Sequence, residues 1–301
     1  MNPPHIALVT ARAARGLDED MPLMERSLRE AGARVTVSDW DDDAIEWSGF
    51  DLALLRSTWD YTQRASEFLD WAHRVSERTR LLNPLAVVRW NVDKHYLAEL
   101  SRAGVPVVPS AFVEPDDDAQ AALDAFLETY PGATEFVVKP SIGAGSLDAQ
   151  RHRRDARREA VAHVRRLLDA RRSALLQPYL RSVDEHGETA LLFFEGEFSH
   201  AIRKGPMLGK GAATSSGLFV VEQITPREPS VREIEIAKRA LAALPFPQPQ
   251  PQLYARVDLI RGDDGSPRLL ELELVEPSVF LGHANGAGRR FAQAILRRIP
   301  A

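Results

Sequence analysis

The sequence has no cysteine among its 301 residues. This absence excludes disulfide bonds, zinc sites built from thiolates and a cysteine nucleophile. The chain also lacks any apolar run near the roughly 18 to 20 residues of a membrane-spanning helix. Its N-terminal stretch, MNPPHIALVT, lacks the basic region, apolar region and cleavage site of a secretion signal. We therefore expect a cytoplasmic protein with no membrane partner and no thiol chemistry.

Lysine is scarce, because 33 of the 38 basic residues are arginines. The net charge of −5 and the scattered acidic residues give no basic surface for nucleic acid. The arginine-rich stretch 151–172 has helical spacing, and a solvent-exposed helix face explains its charges. In such a chain a lysine in a conspicuous position indicates a need for a compact point charge. The lysines are Lys94, Lys139, Lys204, Lys210 and Lys238.

Residues 1–85 have the pattern of a small parallel α/β unit. Short apolar runs at 5–10, 33–40 and 50–56 predict strands, and residues between them have helical spacing. Ligands of such sheets lie at the carboxyl ends of the strands. The residues that follow the third strand are therefore expected to face a ligand.

The candidates for substrate binding at this strand end are Arg56, Ser57, Trp59, Asp60 and Tyr61. Arg56 has the planar fork that binds a carboxylate through two hydrogen bonds, and Asp60 is suited to an amino group. Packing at the strand end, together with a helix cap, explains the same residues equally well. Both interpretations stay open at this point.

Two further units are predicted after residue 85. Residues 86–180 contain a helix at 91–104, an extended segment, a helix at 117–130, the strand EFVVKP, a loop, the arginine-rich helix and the strand SALLQPYL. After Pro178 the pattern becomes antiparallel, and residues 181–301 form the last unit. Its predicted elements are two strands around a turn at 195–196, a strand at 217–224, a helix at 230–244, strands at 254–260 and 268–275, and a helix at 285–298.

The last predicted hairpin carries three carboxylates, Asp258 on one strand and Glu271 and Glu273 on the next. Residues two apart in a strand point to the same face, and hairpin pairing brings Asp258 beside the two glutamates. Clustered carboxylates beside a buried leucine face are costly unless a cation compensates for them. Oxygen ligands on a sheet suit Mg2+, which completes its shell with water and phosphate oxygens. Taken alone, an amphipathic strand with a wet acidic face explains the pattern as well.

Lys139 ends the strand EFVVKP and directly precedes the loop SIGAGS. Main-chain N–H groups of such a loop can bind phosphate, while the lysine reaches it as a point charge. The loop matches neither the G-x-x-x-x-G-K-S/T pattern nor the G-x-G-x-x-G pattern. Lys94 stands at a predicted helix start, where a cation opposes the helix dipole unless an anion lies nearby. The candidate loop residues are Ser141, Gly143, Gly145 and Ser146.

The order of these features resembles the ATP-grasp superfamily, to which D-alanine–D-alanine ligase, glutathione synthetase and RimK-type ligases belong. The order runs from Lys94 through VVKP, SIGAGS, LLQPYL and RVD to E-x-E at 271–273. The resemblance covers about residues 90–300. It implies an ATP-grasp fold of mixed α/β and α+β class. The implied domains are an N-terminal parallel α/β domain at 1–85, a small central domain at 86–180 and a C-terminal antiparallel-sheet domain at 181–301.

The resemblance also implies roles for single residues in binding ATP. Lys94 and Lys139 match the two lysines that bind nucleotide phosphates. The SIGAGS loop matches the flexible loop that closes over those phosphates. Further positions match the hinge that binds adenine and the acid that binds ribose, and these are Gln177, Tyr179, Leu180 and Asp184.

The metal half of the site carries one departure from the superfamily. Arg256 matches the arginine that stabilises the transferred phosphoryl group, and the three carboxylates match the ligands of Mg2+. The last ligand is usually asparagine, whereas this chain has Glu273 and therefore one more negative charge. The residues after it also depart from the usual pattern, which leaves the roles of Glu276 and Ser278 on the substrate side open.

Arg203 and Lys204 end the predicted strand EFSHAIRK, where a cation can reach the γ-phosphate. Neighbouring residues of a strand face opposite sides, so only one of the two can do so. Lys210, within the glycine-flanked sequence GKGAATSSG, is predicted to lie in a mobile loop.

Within the superfamily, RSTWDY, LLNP and ELELVEPSVFL resemble a RimK-like branch that includes the O-ureido-D-serine cyclo-ligase. The implied reaction transfers the γ-phosphate of ATP to a substrate carboxylate, with Mg2+, and a nitrogen then attacks the acylphosphate. In the cyclo-ligase this nitrogen belongs to the substrate itself, which gives the ring of D-cycloserine. The implied partner is a small amino-acid-like molecule, and the sequence leaves monomer and homodimer open.

Two alternative functions remain open from the sequence. One is an intermolecular ligase that joins an amino acid or small acid to a separate amine. The other is a nucleotide-binding regulator without turnover. The full set of cations and metal-ligand candidates argues against the regulator, because binding alone does not need every metal ligand.

Overall fold

The computed structural model describes residues 2–208, 223–246 and 252–299. These residues form three β-sheets with helices packed against them. Within these ranges, no helix combines the length and the apolar character needed to cross a membrane.

The first sheet is parallel, as predicted. It contains β1 (His5–Thr10), β2 (Arg34–Asp39), β3 (Leu52–Ser57) and β4 (Arg80–Leu82), and α1 (Met21–Glu30) and α2 (Ala65–Ser76) pack against it. The strand order is β2-β1-β3-β4. The runs 6–9 and 52–55 are fully buried, which is typical of parallel strands covered on both faces.

Two short helices, α3 (Leu85–Asn91) and α4 (Tyr96–Arg102), follow the first sheet. The sequence predicts one helix over 91–104, but a turn at 92–95 separates two helices. The Asp93 carboxylate accepts a hydrogen bond from the main-chain N–H of His95 at 3.1 Å, which favours this turn. Val87 and Leu97 belong to the core of the third sheet. Both helices therefore pack with the third sheet, whereas the predicted division groups them with residues 86–180.

The second sheet is antiparallel throughout. It contains β5 (Ala111–Val113), β6 (Glu135–Pro140), β7 (Gln150–Arg153) and β8 (Ala174–Pro178) in the order β5-β8-β6-β7, with α5 (Ala119–Thr129) and α6 (Arg157–Asp169). Antiparallel pairing thus begins before Pro178, earlier than predicted. The predicted helix at 151–172 is also too long, because its first residues form β7. Arg151 is 8% exposed and pairs with Glu135 at 2.6 Å, so it is not on a solvent-exposed helix face.

The third sheet is antiparallel and has the order β11-β10-β9-β12-β13. Its strands are β9 (Glu188–Phe194), β10 (Glu197–Lys204), β11 (Ile224–Pro226), β12 (Tyr254–Arg261) and β13 (Pro267–Glu273), accompanied by α7 (Ser182–His186), α8 (Val231–Ala242) and α9 (Ala287–Leu296). A capping box of Ser230 and Glu233 starts α8. The predicted strand at 217–224 lies almost wholly outside the described residues.

The last helix joins the first and third sheets through one core. Phe291 of α9 stacks on Phe194 of β9 with ring centroids 4.5 Å apart, and both share a core with Leu8 of β1. Gly288 allows α9 to approach α1 closely, since a Cβ there would lie 2.6 Å from the Ser27 hydroxyl. Sheets from opposite ends of the chain therefore pack against each other.

The inner edge of β13 pairs with β12. Asp258 lies opposite Glu271, and Arg256 lies opposite Glu273. The predicted hairpin is therefore confirmed, and it places Asp258 beside Glu271. At the far end of β13, Leu269 exchanges main-chain hydrogen bonds of 2.8 Å with the segment 106–108.

Side chains hold the outer edge of β13. The Asn91 amide accepts a hydrogen bond from the N–H of Leu274 at 2.6 Å and donates one to the carbonyl of Leu272 at 2.8 Å. The Tyr96 hydroxyl accepts a hydrogen bond from the N–H of Leu272 at 3.0 Å. These contacts satisfy main-chain groups of an edge strand and fix its position.

Asn91→Ala should lower the free energy of unfolding by about 1–3 kcal/mol, because it leaves a buried N–H and a buried carbonyl without partners. Denaturant unfolding of the ligand-free protein measures this loss. Asn285→Ala makes the same change at an exposed position, and its effect should stay within about 0.5 kcal/mol. Equal losses in the two variants would show that Asn91 does not hold the strand.

Candidate active site

A cavity of about 340 Å3 is lined by residues of all three sheets and their connections. Most of the sequence-predicted site residues reach it. They are Trp59, Tyr61, Lys94, Lys139, Gly143, Gly145, Ser146, Gln177, Tyr179, Leu180, Lys204, Arg256, Glu271, Glu273, Glu276 and Ser278. The predicted residues that do not line it are Arg56, Ser57, Asp60, Ser141, Asp184, Arg203 and Asp258.

The wall formed by the third sheet carries alternating charges. Lys204 lies 2.9 Å from Glu188 and 2.7 Å from Asp258. The Arg256 guanidinium lies 2.9 Å from Asp258 and also pairs with Glu273. Asp258 is 1% exposed and lies behind this wall, where both cations reach it. Burial opposes ionisation of Asp258, yet Arg256 and Lys204 hold its pKa below the ordinary value.

Of the two candidate cations at the end of β10, Lys204 faces the cavity. Arg203 points to the other side and donates hydrogen bonds to the carbonyls of His186 at 2.8 Å and Glu185 at 3.3 Å. The alternation along the strand thus selects Lys204. Lys210 lies outside the described residues.

Lys94 connects β13 to the glycine-bearing loop. Its ammonium group lies 2.9 Å from Glu271 and donates a hydrogen bond to the carbonyl of Gly143 at 2.7 Å. The expected anion near Lys94 is therefore Glu271. Burial opposes ionisation of Glu271, but Lys94 and Lys139 hold its pKa below the ordinary value.

Lys139 has no carboxylate within ion-pair distance among the described residues, and burial lowers its pKa. An anion in the cavity would favour its charged form.

In the loop that follows, Gly145 and Ser146 both have a φ of 58°, a left-handed conformation that suits glycine. Ser141 is 2% exposed, and its N–H donates to the carbonyl of Ser173 at 2.9 Å. The structure therefore places Ser141 in the base of the loop and not at the cavity.

The predicted hinge lines the cavity at Gln177, Tyr179 and Leu180. Asp184 does not, because the Arg151 guanidinium donates to both of its oxygens at 3.1 Å and the Tyr179 hydroxyl donates at 2.6 Å. The Arg151 guanidinium also lies 3.5 Å from the centre of the Tyr179 ring. Asp184 thus orients the hinge, which differs from its expected contact with ribose.

The candidates after β3 divide into two groups. Trp59 and Tyr61 line the cavity. Ser57 instead shares a hydrogen bond of 2.7 Å with the Thr10 hydroxyl, and Asp60 accepts one from the Trp40 ring at 2.9 Å and pairs with Arg64. For Ser57 and Asp60 the packing interpretation is the one the structure shows.

Arg56 is 1% exposed and is also turned away from the cavity. Its guanidinium lies 3.5 Å from Asp18 and 3.8 Å from Asp20, and it donates a hydrogen bond to the carbonyl of Pro277 at 3.0 Å. The expectation that Arg56 binds a substrate carboxylate is therefore not met. Its partners are within the protein, and one of them belongs to the segment after β13.

Side chains hold the segment 275–281, the clamped segment, at successive residues. Its carbonyls accept hydrogen bonds from Tyr254 (Val275, 2.6 Å), Trp59 (Glu276, 3.4 Å), Arg56 (Pro277, 3.0 Å) and Arg256 (Ser278, 3.2 Å). The Asp20 carboxylate accepts hydrogen bonds of 2.6–2.8 Å from the N–H groups of 279, 280 and 281. Glu276 and Ser278 therefore face the cavity from a fixed backbone.

Two carboxyls of the site favour protonation. Burial raises the pKa of Glu273 to about 7, against the opposing effect of Arg256. Burial and the neighbouring charge of Glu273 raise the pKa of Glu276 to about 8. Burial and the charge of Glu276 raise the pKa of the Tyr61 hydroxyl well above its ordinary value. A cation bound in the cavity would favour the charged form of both carboxyls.

The carboxylates fit Mg2+ in chemistry, although their present contacts are with cations. Among the described residues, no three His, Cys, Asp or Glu side chains surround a common ion position. Glu271 and Glu273 nevertheless line one cavity from the same face of β13, with Asp258 directly behind. Oxygen donors and uncompensated negative charge are what Mg2+ requires.

The sequence-based prediction missed two residues of this region. Glu188 pairs with Lys204 across β9 and β10. Counting back from the predicted turn at 195–196 would place Gly187 opposite Lys204, and a register shift between Phe198 and His200 brings Glu188 there instead. Asp20 carries no signal either, because its partners in the clamped segment are about 260 residues away in the chain.

Comparisons with known proteins agree with this architecture. A family model described as the N-terminal domain of D-cycloserine synthetase DcsG matches residues 6–83. The chain is 42% identical over 294 residues to the cycloserine biosynthesis protein DcsG of Streptomyces lavendulae. The aligned residues cover 98% of both chains. The crystal structure of D-cycloserine synthetase DcsG superposes with a TM-score of 0.91 at 43% identity, over 98% of this chain and 100% of that chain.

A more distant structure shares the fold. The ATP-grasp ligase PsnB, complexed with a phosphomimetic variant of its minimal precursor, Mg and ADP, gives a TM-score of 0.62 at 18% identity. The match covers 99% of both chains. The predicted ATP-grasp fold, with its parallel N-terminal sheet and antiparallel C-terminal sheet, is confirmed.

Glu276→Gln should change how stability depends on pH. The pKa of Glu276 rises from 4.5 to about 8 on folding, so its contribution is fully present below about pH 4.5 and is lost as the pH rises through 8. The variant lacks this loss, so its stability relative to wild type should increase by about 4 kcal/mol between pH 5 and 9. Unfolding of both ligand-free proteins over this range measures the difference. A difference that does not change with pH would contradict the burial of this carboxyl.

Proposed function

The chain belongs to the D-cycloserine synthetase family of ATP-grasp ligases, and from this we propose that it uses ATP to close the ring of D-cycloserine. The proposed substrate is O-ureido-D-serine, and the proposed products besides the ring are ADP, phosphate, CO2 and ammonia. The observation that carries the proposal is the charged wall of the cavity. Lys94, Lys204 and Arg256 alternate there with carboxylates, next to the hinge and the glycine-bearing loop.

The adenine of ATP would lie at the hinge. The Tyr179 N–H already donates to the carbonyl of Glu135 at 3.0 Å. Within the described residues the Leu180 N–H has no such partner, so it is the main-chain donor we assign to adenine. Val108 and Ile260 provide apolar surface around this end of the cavity.

The phosphates would lie between the loop and the third sheet. Lys94 and Lys139 approach from the loop side, and Lys204 and Arg256 approach from the sheet. Bound Mg2+, held by Glu271 and Glu273, would neutralise phosphate oxygens during transfer. Phosphate oxygens would compete with Asp258 for Lys204 and Arg256. The oxygens of Asp258 would then be free to complete the predicted metal-ligand set.

Phosphoryl transfer would be assisted by cations that are already in position. Arg256 is also held by the carbonyl of Ser278 in the clamped segment, so little reorganisation is needed when charge develops nearby. An oxygen of the substrate carboxylate attacks the γ-phosphorus, and ADP leaves. No protein nucleophile is needed, which agrees with the absence of cysteine.

Ring closure follows within the activated substrate. The ureido nitrogen attached to oxygen attacks the acyl carbon, and phosphate leaves. Water then hydrolyses the carbamoyl group on the ring nitrogen, which releases CO2 and ammonia and leaves the isoxazolidinone. Because nucleophile and acylphosphate belong to one molecule, the cavity has to orient it and to exclude water only until the ring has closed.

ADP release with Mg2+ and O-ureido-D-serine, without any added amine, tests the proposal. We expect ADP and D-cycloserine in equal amounts, because the nucleophile is internal. D-alanine, which lacks an internal nucleophile, is the matched control and should release ADP only at the background rate. Release that requires an added amine would indicate an intermolecular ligase. If the protein binds Mg-ATP but no carboxylate induces ADP release, it is a regulator and the proposal is wrong.

A further inference from the structure

Glu276 differs from the four carboxylates of the charged wall in having no cation partner among the described residues. Glu188, Asp258, Glu271 and Glu273 each form an ion pair with a lysine or arginine. Glu276 is 8% exposed and lines the same cavity, yet it forms no ion pair with any residue in the described ranges. A buried carboxylate that faces a cavity without a cation is costly in the ligand-free protein. Its geometry suits a ligand that brings a positive charge.

The backbone of Glu276 is also fixed in place. It belongs to the clamped segment, and its carbonyl accepts a hydrogen bond from the Trp59 ring at 3.4 Å. Burial and the neighbouring Glu276 carboxyl raise the pKa of the Tyr61 hydroxyl. Both aromatic residues also line the cavity. A carboxyl on a backbone held in this way is preorganised to bind a group of defined direction.

We propose that Glu276 binds the ammonium group of the amino-acid-like substrate, with Tyr61 orienting the carboxyl. This inference rests on the function proposed above and names the residue that selects an amino acid over a simple carboxylic acid. Asp60, the residue that the sequence suggests for this role, is occupied by Trp40 and Arg64.

Glu276 lies close in the clamped segment to the contact of Arg256, the cation that we assign to the phosphoryl group. Arg256, which we assign to the phosphoryl group, donates to the carbonyl of Ser278, two residues along the clamped segment. The ammonium and carboxylate of an amino acid are separated by one carbon atom. One rigid segment therefore places the residue that binds the ammonium group beside the cation that assists its carboxylate.

The test compares two substrates in two proteins. O-ureido-D-serine carries the ammonium group, and 3-(ureidooxy)propanoate is the same molecule without it. Wild type should prefer the amino compound in kcat/KM by on the order of 100-fold or more. The reason is that 3-(ureidooxy)propanoate leaves the buried carboxylate of Glu276 without a partner. In Glu276→Gln this preference should fall to about tenfold or less, mainly through KM for the amino compound.

Two controls separate this role from a structural one. Glu19→Gln changes an exposed carboxylate at the same cavity, and the preference should remain as in wild type. Tyr61→Phe should reduce the preference by a smaller factor, about fivefold, because the ammonium contact itself remains. Calorimetric titration with Mg-ADP should give the wild-type affinity in all three variants if they are folded.

A preference that Glu276→Gln retains in full would overturn the proposal. So would an equal loss of kcat with both compounds, since that result would place Glu276 in the reaction itself. If wild type releases ADP with neither compound, the proposed function fails independently. Direct calorimetric binding of O-ureido-D-serine then decides the question. Weaker binding to Glu276→Gln would support the ammonium contact, and equal binding would refute it.

Discussion

The pairing of β13 with β12 determines where the carboxylates of the site lie. A shift by one residue would turn Glu271 and Glu273 to the opposite face of the sheet. The register is fixed on the inner edge by β12 and on the outer edge by the side chains of Asn91 and Tyr96. The same hydrogen bonds attach α3 and α4 to the sheet and thereby place Lys94, which lies between these helices, beside Glu271. One constraint thus positions both an anion and its cation.

The charged wall depends on this arrangement for its stability as well as its chemistry. Each of Lys94, Lys204 and Arg256 is less than one tenth exposed and is paired with at least one carboxylate. Buried charges of this kind are tolerated because they are paired, and removal of one partner leaves the other uncompensated. Burial raises the pKa of Glu273 and of Glu276, which lie at the end where the clamped segment begins. This is the end at which we place Mg2+ and the substrate ammonium group.

The sequence predicts the parts of the site that depend on local periodicity. The twofold repeat of a strand puts Glu271 and Glu273 on one face, and it separates Lys204 from Arg203. It cannot predict contacts between distant segments. Arg56 has the right chemistry for a substrate carboxylate, but its partners are Asp18, Asp20 and Pro277.

The fold was predictable to a similar degree, and for the same reason. Buried runs identify the parallel strands of the first sheet, because strands covered on both faces are apolar throughout. The short strand β7 escapes prediction, because Arg151 is polar in sequence and is buried only through its pairing with Glu135 and Asp184. The assignment of α3 and α4 to the third sheet likewise follows from packing that no local pattern reveals.

The central claim is that the β13 carboxylates bind Mg2+ together with the nucleotide. The most direct measurement is calorimetric titration of ADP with and without Mg2+ in wild type, in Glu271→Gln and in Glu197→Gln, which changes an exposed glutamate of β10. Mg2+ should strengthen ADP binding by about tenfold or more in wild type and in Glu197→Gln, and this gain should be largely lost in Glu271→Gln. An equal gain in all three proteins would contradict the assignment of Glu271 to the metal.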